Sequence, residues 1–555
     1  MAGKDPLQRL QQLIHLERQD IGTLLAYGVG IGLLSLATPI AVQALVNTIA
    51  FGALLQPLFV LTLILLVLMS FSNTLVALQF YVVEMLQRRL FVRLFGEAAN
   101  RLQRSSMATR DRQYLPELVN RFFDVVSLQK TAAALLLETL GYVLQTLIGM
   151  LLLAFYHPML LAFDLFLIAA LYLILFVMGE KGIPTAIEQS RTKYAAAAWL
   201  ESIAANPLFG KSHQGEAFLN AQTQRIAQDY LEACINHFRI LSRQNIGALI
   251  LHTLANTTLL AMGGWMVIER QLSLGQLIAA ELVVNAMIYG LTRLGKTLDN
   301  FYELVTSIDK IGYLQDLPQE TDAGGLPSHI ERAYQIDIQQ LTVDKSPQTD
   351  LVKQLDLRLE PGDRLVISEG AERGTLLDVM FGLRTASAGR ISLDQHDLRD
   401  LSLGVLRDSM SLVRYAEVMN VSIADNVSVG RNLSLTQIRT ALEQVGLLDV
   451  ISALPEGLNT QLCSHGEPLI ADEQLRLTLA RAIAGQPKLL LIDKSLDRVD
   501  PRWLDLILDT LLSAHAPWTL IVISHEPRVI ARFKRNGLIR DGQLEEVVAG
   551  SGASV

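Results

Sequence analysis

Residues 360–377 read EPGDRLVISEGAERGTLL. The apolar run Leu365-Val366-Ile367 ends at Ser368, glycines follow at Gly370 and Gly374, and Thr375-Leu376-Leu377 opens a second apolar run. From about Ile330 onward the whole sequence alternates strand-like and helix-like segments of this kind, which argues for an α/β domain. That domain occupies the last 225 or so residues of a 555-residue chain.

Upstream the composition changes. Half of all residues are hydrophobic and only 18% are charged, against about 25% charged in ordinary soluble domains. The deficit is concentrated in long apolar runs within the first 300 residues. A membrane span needs about 20 mainly apolar residues. Six stretches qualify, near Leu24–Ala50, Leu58–Tyr81, Ala132–Tyr156, Met159–Met178, Ile246–Val267 and Leu272–Leu294, with His157-Pro158 turning the third into the fourth. Lys and Arg collect after the second span (Arg88, Arg89, Arg93, Arg101, Arg104, Arg110, Arg112) and after the fourth (Lys181, Arg191, Lys193, Lys211, Arg225). The links between spans one and two and between three and four carry none. By the positive-inside rule the N-terminus, the long connections and everything after the sixth span are cytoplasmic. Helical periodicity over 84–104 and 188–240 predicts that the second and fourth spans continue as helices beyond the bilayer.

The first residues lack the apolar core and cleavage site of a signal peptide. Leu7, Leu10, Leu13 and Ile14 recur at helical spacing, which predicts a short helix lying on the membrane surface; a soluble amphipathic lead-in is the alternative. Cys234 and Cys463 lie far apart and outside any metal-binding pattern, so both are expected as free thiols in a reducing compartment, and no metal site is expected. A net charge of −8 gives no electrostatic footprint for nucleic acid. On this reading the chain divides into an amphipathic segment (1–20), a membrane region (21–316), a linker (317–330), the α/β domain (331–546) and a flexible tail (547–555).

The order of segments in the last part carries a resemblance. Glu360–Ile367 resembles the strand leading into the phosphate loop of an ATP-binding-cassette (ABC) ATPase. Behind it come Phe381-Gly382-Leu383, Ala388-Gly389-Arg390-Ile391 and the stretch from Leu406-Arg407 to Asn426. Leu454–Thr460 is similar to the run ahead of the family's signature helix, and Leu479-Ala480-Arg481-Ala482 to its end. Leu489–Asp493 looks like the Walker B strand, and Ser524-His525 like the switch histidine. Each match alone is weak; their joint order after six spans is specific. The resemblance implies an exporter-type helical membrane domain followed by an α/β P-loop NTPase-like (ABC ATPase) domain, and the membrane half is most similar to type I secretion exporters without their peptidase-like domain.

It also implies a nucleotide site, and that site is eroded. The family's loop ends in Lys and Ser/Thr, with backbone N–H groups wrapping the phosphates. Here Gly370, Arg373, Gly374 and Thr375 are the vestiges, the loop is about two residues short, and Glu372 replaces a glycine. Asp493 survives as the Mg²⁺-associated aspartate. Lys494 stands where the family keeps the glutamate that polarises water, so no catalytic residue is assigned. Tyr415 replaces the glutamine sensor, after Arg414. Lys345 falls where the family stacks an aromatic on adenine. The signature reads Leu469-Ile470-Ala471-Asp472-Glu473, and its acids would repel a γ-phosphate. Asp493, His525 and Asp500 remain. The family's cofactors, ATP and Mg²⁺, are therefore doubtful here.

In the sixth span Glu281 has Asn285 one turn later. Charged groups at such depth usually face an aqueous cavity or a partner, so the pair is a candidate cavity-lining or proton-accepting site, or part of a dimer seam. Asp164, near the outer end of the fourth span, is expected to reach the interface and receives no role. Residues 115–130 and 203–211 fall where such exporters place the helices that touch the C-terminal domain. The expected partners are the lipid bilayer, a second copy of the chain in a homodimer (a heterodimer being the alternative), and a periplasmic adaptor or other envelope subunits, with the chain in the inner membrane. Three functions stay open: a non-catalytic transport conduit or envelope scaffold, a true ATP-driven exporter, and a structural membrane protein with no transported substrate.

Overall fold

The computed structural model describes residues 5–50, 55–112, 115–322, 324, 333–346, 349–370 and 374–548. Glu372, Arg373, much of the linker and nearly all of the tail lie outside them. The chain divides into two compact units, one made of Met1–Ser105 and Tyr114–Pro318, the other of Ser106–Gln113 and Gln319–Val555.

The first unit is all helix. Among the described residues, five helical stretches are long and apolar enough to cross a membrane: Arg18–Asn47, Leu58–Gln103, Leu115–Tyr156, Pro158–Ala205 and His213–Ile268. The sixth, Leu274–Thr292, is apolar and 19 residues long. The second span continues without interruption to Gln103, inside a helix of 49 residues. The fourth does not run on to residue 240. It is interrupted first at 178–181, where Lys181 takes φ +68°, and resumes as Gly182–Ala205; after a second break a 56-residue helix begins at His213, where the Ser212 hydroxyl accepts from the Gly215 N–H. Pro207 and Gly210 lie in the second break, and neither favours helix.

The N-terminal helix Pro6–Leu16 forms as the spacing predicts, but only part of its apolar surface stays free. Leu10 packs against Leu94, Val125 and Ile308, and Arg9 pairs with Asp316, while Leu7 and Ile14 remain exposed. Residues 115–130 also pack inside this unit: Leu118 meets Leu314 and Leu317, and Val125 and Leu128 meet Ile308 and Ile311. The short helix Met107–Arg112 belongs with the C-terminal unit. Asp164 is 3% exposed, and neither carboxylate oxygen has a hydrogen-bond partner. It does not reach the interface, because Leu160, Phe163 and Leu167 beside it are buried in the same core.

Among its described residues the second unit contains ten strands, β1 (Ile336–Val343), β2 (Val352–Leu359), β3 (Arg364–Glu369), β4 (Ala388–Leu393), β5 (His396–Asp397), β6 (Met410–Val413), β7 (Leu489–Asp493), β8 (Thr519–Ile523), β9 (Arg535–Arg540) and β10 (Gln543–Val548). A six-stranded sheet runs β10-β9-β3-β8-β7-β6, parallel except for β10, and a four-stranded antiparallel sheet runs β2-β1-β4-β5. Strands β7 and β8 are buried at every position, as expected for parallel strands covered on both faces. One core lies between the two sheets, and a second joins the parallel sheet to the helices between β6 and β7. The candidate site lies where the parallel strands end, the usual ligand crevice of such sheets.

Candidate functional site: the carboxyl ends of β3, β6 and β7

Gly370 follows β3 with φ +79°, and a side chain there would overlap the Ile539 carbonyl. Gly374 takes φ +62° and caps the helix Thr375–Met380; a Cβ there would overlap the Asp493 carboxylate. Both backbone conformations belong to the left-handed region that glycine alone adopts cheaply. Thr375 is 1% exposed, and its hydroxyl accepts a 2.7 Å hydrogen bond from the Asp350 N–H. It thus anchors the loop before β2. Gly374 lies against Asp493.

Arg414 decides what occupies that place. Val413 of β6 sits opposite Ile492 of β7, so the next residue on each strand, Arg414 and Asp493, emerge side by side. Arg414 Nε donates to Asp493 Oδ2. Its Nη2 donates to Asp378 Oδ1 at 2.6 Å and reaches the Gly374 carbonyl at 3.5 Å. Arg384 Nε in turn donates to Asp378 Oδ2 at 2.8 Å, and its Nη1 and Nη2 bind the Asp111 carboxylate at 2.7 and 3.1 Å. Charges alternate along Asp493, Arg414, Asp378, Arg384 and Asp111. Burial lifts the Asp493 carboxyl above its ordinary range, and Arg414 opposes that shift. Burial also works against the charge on Arg414, but Asp378 and Asp493 overcome it and hold the guanidinium above its ordinary value.

Lys494, His525, Asp472 and Glu473 make internal contacts. Lys494 sits at φ +53°, with its N–H on the Ile523 carbonyl at 2.8 Å. The His525 N–H donates to Asp497 Oδ2 at 3.1 Å, and ring Nδ1 lies 2.8 Å from the Ser368 carbonyl; that contact requires the proton on Nδ1. In the signature region Asp472 turns inward. It accepts from Arg476 Nε at 2.7 Å and from the Asp500 N–H at 2.8 Å, while Glu473 accepts from the Ile470 N–H at 3.0 Å. Acids in the first turn of the helix Ala471–Ala484 favour its positive end, so these residues stabilise the helix where the family would bind phosphate. Tyr415 is exposed, with the Arg498 guanidinium 5.6 Å above its ring. Lys345 is exposed as well.

These residues do not fit a magnesium nucleotide. The aspartate that would approach the metal already holds a guanidinium, and a divalent ion would have to displace a cation bound by two buried carboxylates. Among the described residues no cluster of three or more His, Cys, Asp or Glu could hold a metal. Glu281 and Asn285 lie apart from this site, in the helical unit, and both are exposed there. Sequence reading noticed Arg414 only as the neighbour of Tyr415, and it did not find Asp378, Arg384 or Asp111. An arginine following a strand that pairs in parallel with the Asp493 strand was the available signal.

Comparison with known proteins supplies the frame. The ABC transporter transmembrane region matches residues 21–291, and the ABC transporter family model matches 352–496. The chain is 25% identical over 346 residues to the mitochondrial iron-sulfur clusters transporter ATM1 of Kluyveromyces lactis, covering 60% of this chain and 48% of that protein. It is 29% identical over 286 residues to the ATP-dependent lipid A-core flippase of Thiobacillus denitrificans, covering 50% and 49%. It is 26% identical over 301 residues to the alpha-hemolysin translocation ATP-binding protein HlyB of Escherichia coli O157:H7, covering 52% and 42%. The chain thus spans about half the length of the curated relatives it matches. Its fold follows that of a bacterial Atm1-family ABC exporter with ATP bound, with TM-score 0.82, 20% identity and coverage of 96% of this chain and 95% of that one. Six apolar helices leading into a parallel sheet with the cassette's motif order, matched on both parts by the family's own patterns, make this chain a member of the ABC transporter family, with an exporter-type transmembrane region and an ABC ATPase-type domain.

Proposed function

We propose that this chain is a half-transporter whose nucleotide-binding-type domain does not hydrolyse ATP, and that it works in transmembrane transport as a conduit or as the scaffold of an envelope complex. The carrying observation is the Arg414 guanidinium on Asp493 and Asp378, a cation of the protein's own where the family's chemistry needs Mg²⁺. Lys494 at the water-polarising position and the inward-turned Asp472 support the same reading. Relatives named as transporters and as a flippase support transport; the altered site argues against ATP as this chain's own energy source. The positions of Lys and Arg support an inner-membrane, multi-pass arrangement with both termini cytoplasmic. Six spans, with Glu281 and Asn285 exposed on the sixth, support a two-fold homodimer, with adaptor or other envelope subunits as further partners.

The test is steady-state ATP hydrolysis by purified protein with Mg²⁺ at millimolar ATP. Wild type should match a detergent blank, and Lys494→Glu alone should restore nothing, because parts that act as a unit are not repaired singly. Turnover on the order of 1 s⁻¹ or more in wild type would overturn the proposal. Turnover appearing only in Lys494→Glu would show that the phosphate loop and signature still work. Mass measurement in detergent checks the dimer, and a strictly monomeric particle would refute it.

A further inference from the structure

The chain passes between its two units after Ser105, after Gln113 and after Pro318. Two stretches of the C-terminal unit therefore adjoin the helical unit in sequence, residues 106–113 and the part of the linker that begins at Gln319. Covalent continuity makes them the route by which a displacement in one unit reaches the other. Each is held by an arginine of the C-terminal unit. Arg384 binds the Asp111 carboxylate through Nη1 and Nη2. Arg407 Nη1 and Nη2 donate to the Glu320 carboxylate at 2.6 and 3.1 Å. Two residues further on, Asp322 accepts from the Leu403 N–H and the Ser402 hydroxyl, both at 3.1 Å.

Both grips start from one turn. The Leu383 N–H donates to the Asp378 carbonyl at 2.8 Å, closing the turn that follows the helix Thr375–Met380, and Gly382 there takes φ +70°. Arg407 reaches the Phe381 carbonyl through Nε at 3.3 Å and the Gly382 carbonyl through Nη2 at 3.0 Å. Its guanidinium lies 5.5 Å above the Phe381 ring. Arg384 leaves the same turn and is steadied by the buried Asp378, which Arg414 holds in turn. The four side chains of the two pairs retain between 13% and 24% exposure. Bidentate guanidinium–carboxylate contacts are the strong, directional class, and partly buried pairs are screened less by salt than exposed ones. The protein supplies every donor and acceptor in both grips, so closing them needs neither phosphate nor a metal ion.

We propose that the turn Phe381–Arg384, with Arg407, is a clasp that keeps 106–113 and 319–322 fastened to the C-terminal unit whether or not nucleotide is present. The proposal rests on reading Arg414 as the occupant of the place beside Asp493, which fixes the far end of the Arg384 grip. It gives the C-terminal unit a definite part in a non-hydrolysing chain. The unit is a standing anchor for the segments that lead to and from the membrane helices, and no nucleotide cycle tightens or loosens it.

The test is amide hydrogen exchange of the full-length protein in detergent, read by mass spectrometry on peptides covering 106–113 and 319–322. Millimolar ATP with Mg²⁺ should change the exchange rate of either segment by less than about threefold. Asp111→Leu should raise it about threefold or more in 106–113 alone. The double variant Glu320→Leu with Asp322→Leu should do the same in 319–322 alone. A larger response of either segment to nucleotide, or a smaller response of a segment to its own variant, would overturn the proposal. So would faster exchange that spreads to β7 and β8, since the contacts would then serve the stability of the whole unit. ATP hydrolysis by wild type, with exchange in both segments unmoved by nucleotide, would refute the previous reading and leave the clasp standing.

Discussion

Asp493 and Asp164 are equally hidden, at 4% and 3% exposure, yet their surroundings are opposite. Asp493 ends a strand in the C-terminal unit and meets Arg414, the start of an alternating chain that runs on to Asp111. Asp164 lies in the fourth apolar helix among Leu160, Phe163 and Leu167, with both oxygens unpartnered. A buried charge persists when partners match it; a buried polar group without partners costs about 1–3 kcal/mol. The first site is an electrostatic assembly whose members depend on one another. The second is a local penalty carried by the packing around it.

The largest effect should come from Arg414→Leu. It leaves Asp493 and Asp378 facing each other without their shared guanidinium, and removing one partner of a buried ion pair costs about 3–5 kcal/mol. Calorimetric unfolding of the full chain should show the C-terminal unit melting earlier, with Arg414→Lys in between. An unchanged transition would mean that the charge chain is incidental. Next is Asp164→Leu, for which the sign reverses. Removing an unpartnered polar group among apolar neighbours should leave stability unchanged or raise it, by up to about 1–3 kcal/mol, read as the thermal midpoint in detergent. A clear loss would reveal a partner for Asp164 and dissolve the contrast. The smallest effect belongs to Asp111→Asn, at the end of the chain, where the side chain retains 17% exposure. The asparagine keeps a hydrogen-bond acceptor for Arg384, so a change of about 1 kcal/mol or less is expected. A loss as large as that of Arg414→Leu would show that the five charges act as a single unit.

The sequence, read alone, determined the order and kind of elements. Six apolar stretches, the switch to alternating strands and helices near Ile330, and the altered residues at the nucleotide motifs are each written in consecutive residues, because span length, periodicity and glycine placement are local properties of the chain. The continuous helix to Gln103 followed from the same periodicity. Its counterpart over 188–240 did not, since a short break containing Pro207 and Gly210 separates two helices. Only the tertiary structure decided who meets whom. Arg414 and Asp493 are 79 residues apart and become neighbours because β6 pairs with β7. Met107–Arg112 belongs with the distant C-terminal unit, although residues 115–130 beside it stay with the helices. Of the acids read as groups that repel phosphate, Glu473 caps its own helix and Asp472 accepts from Arg476 and from the Asp500 N–H. Asp164 was read as able to reach the interface and is instead enclosed. In each case the outcome depends on which surface a second segment presents, and a pattern of spacing within one segment contains no information about its neighbour.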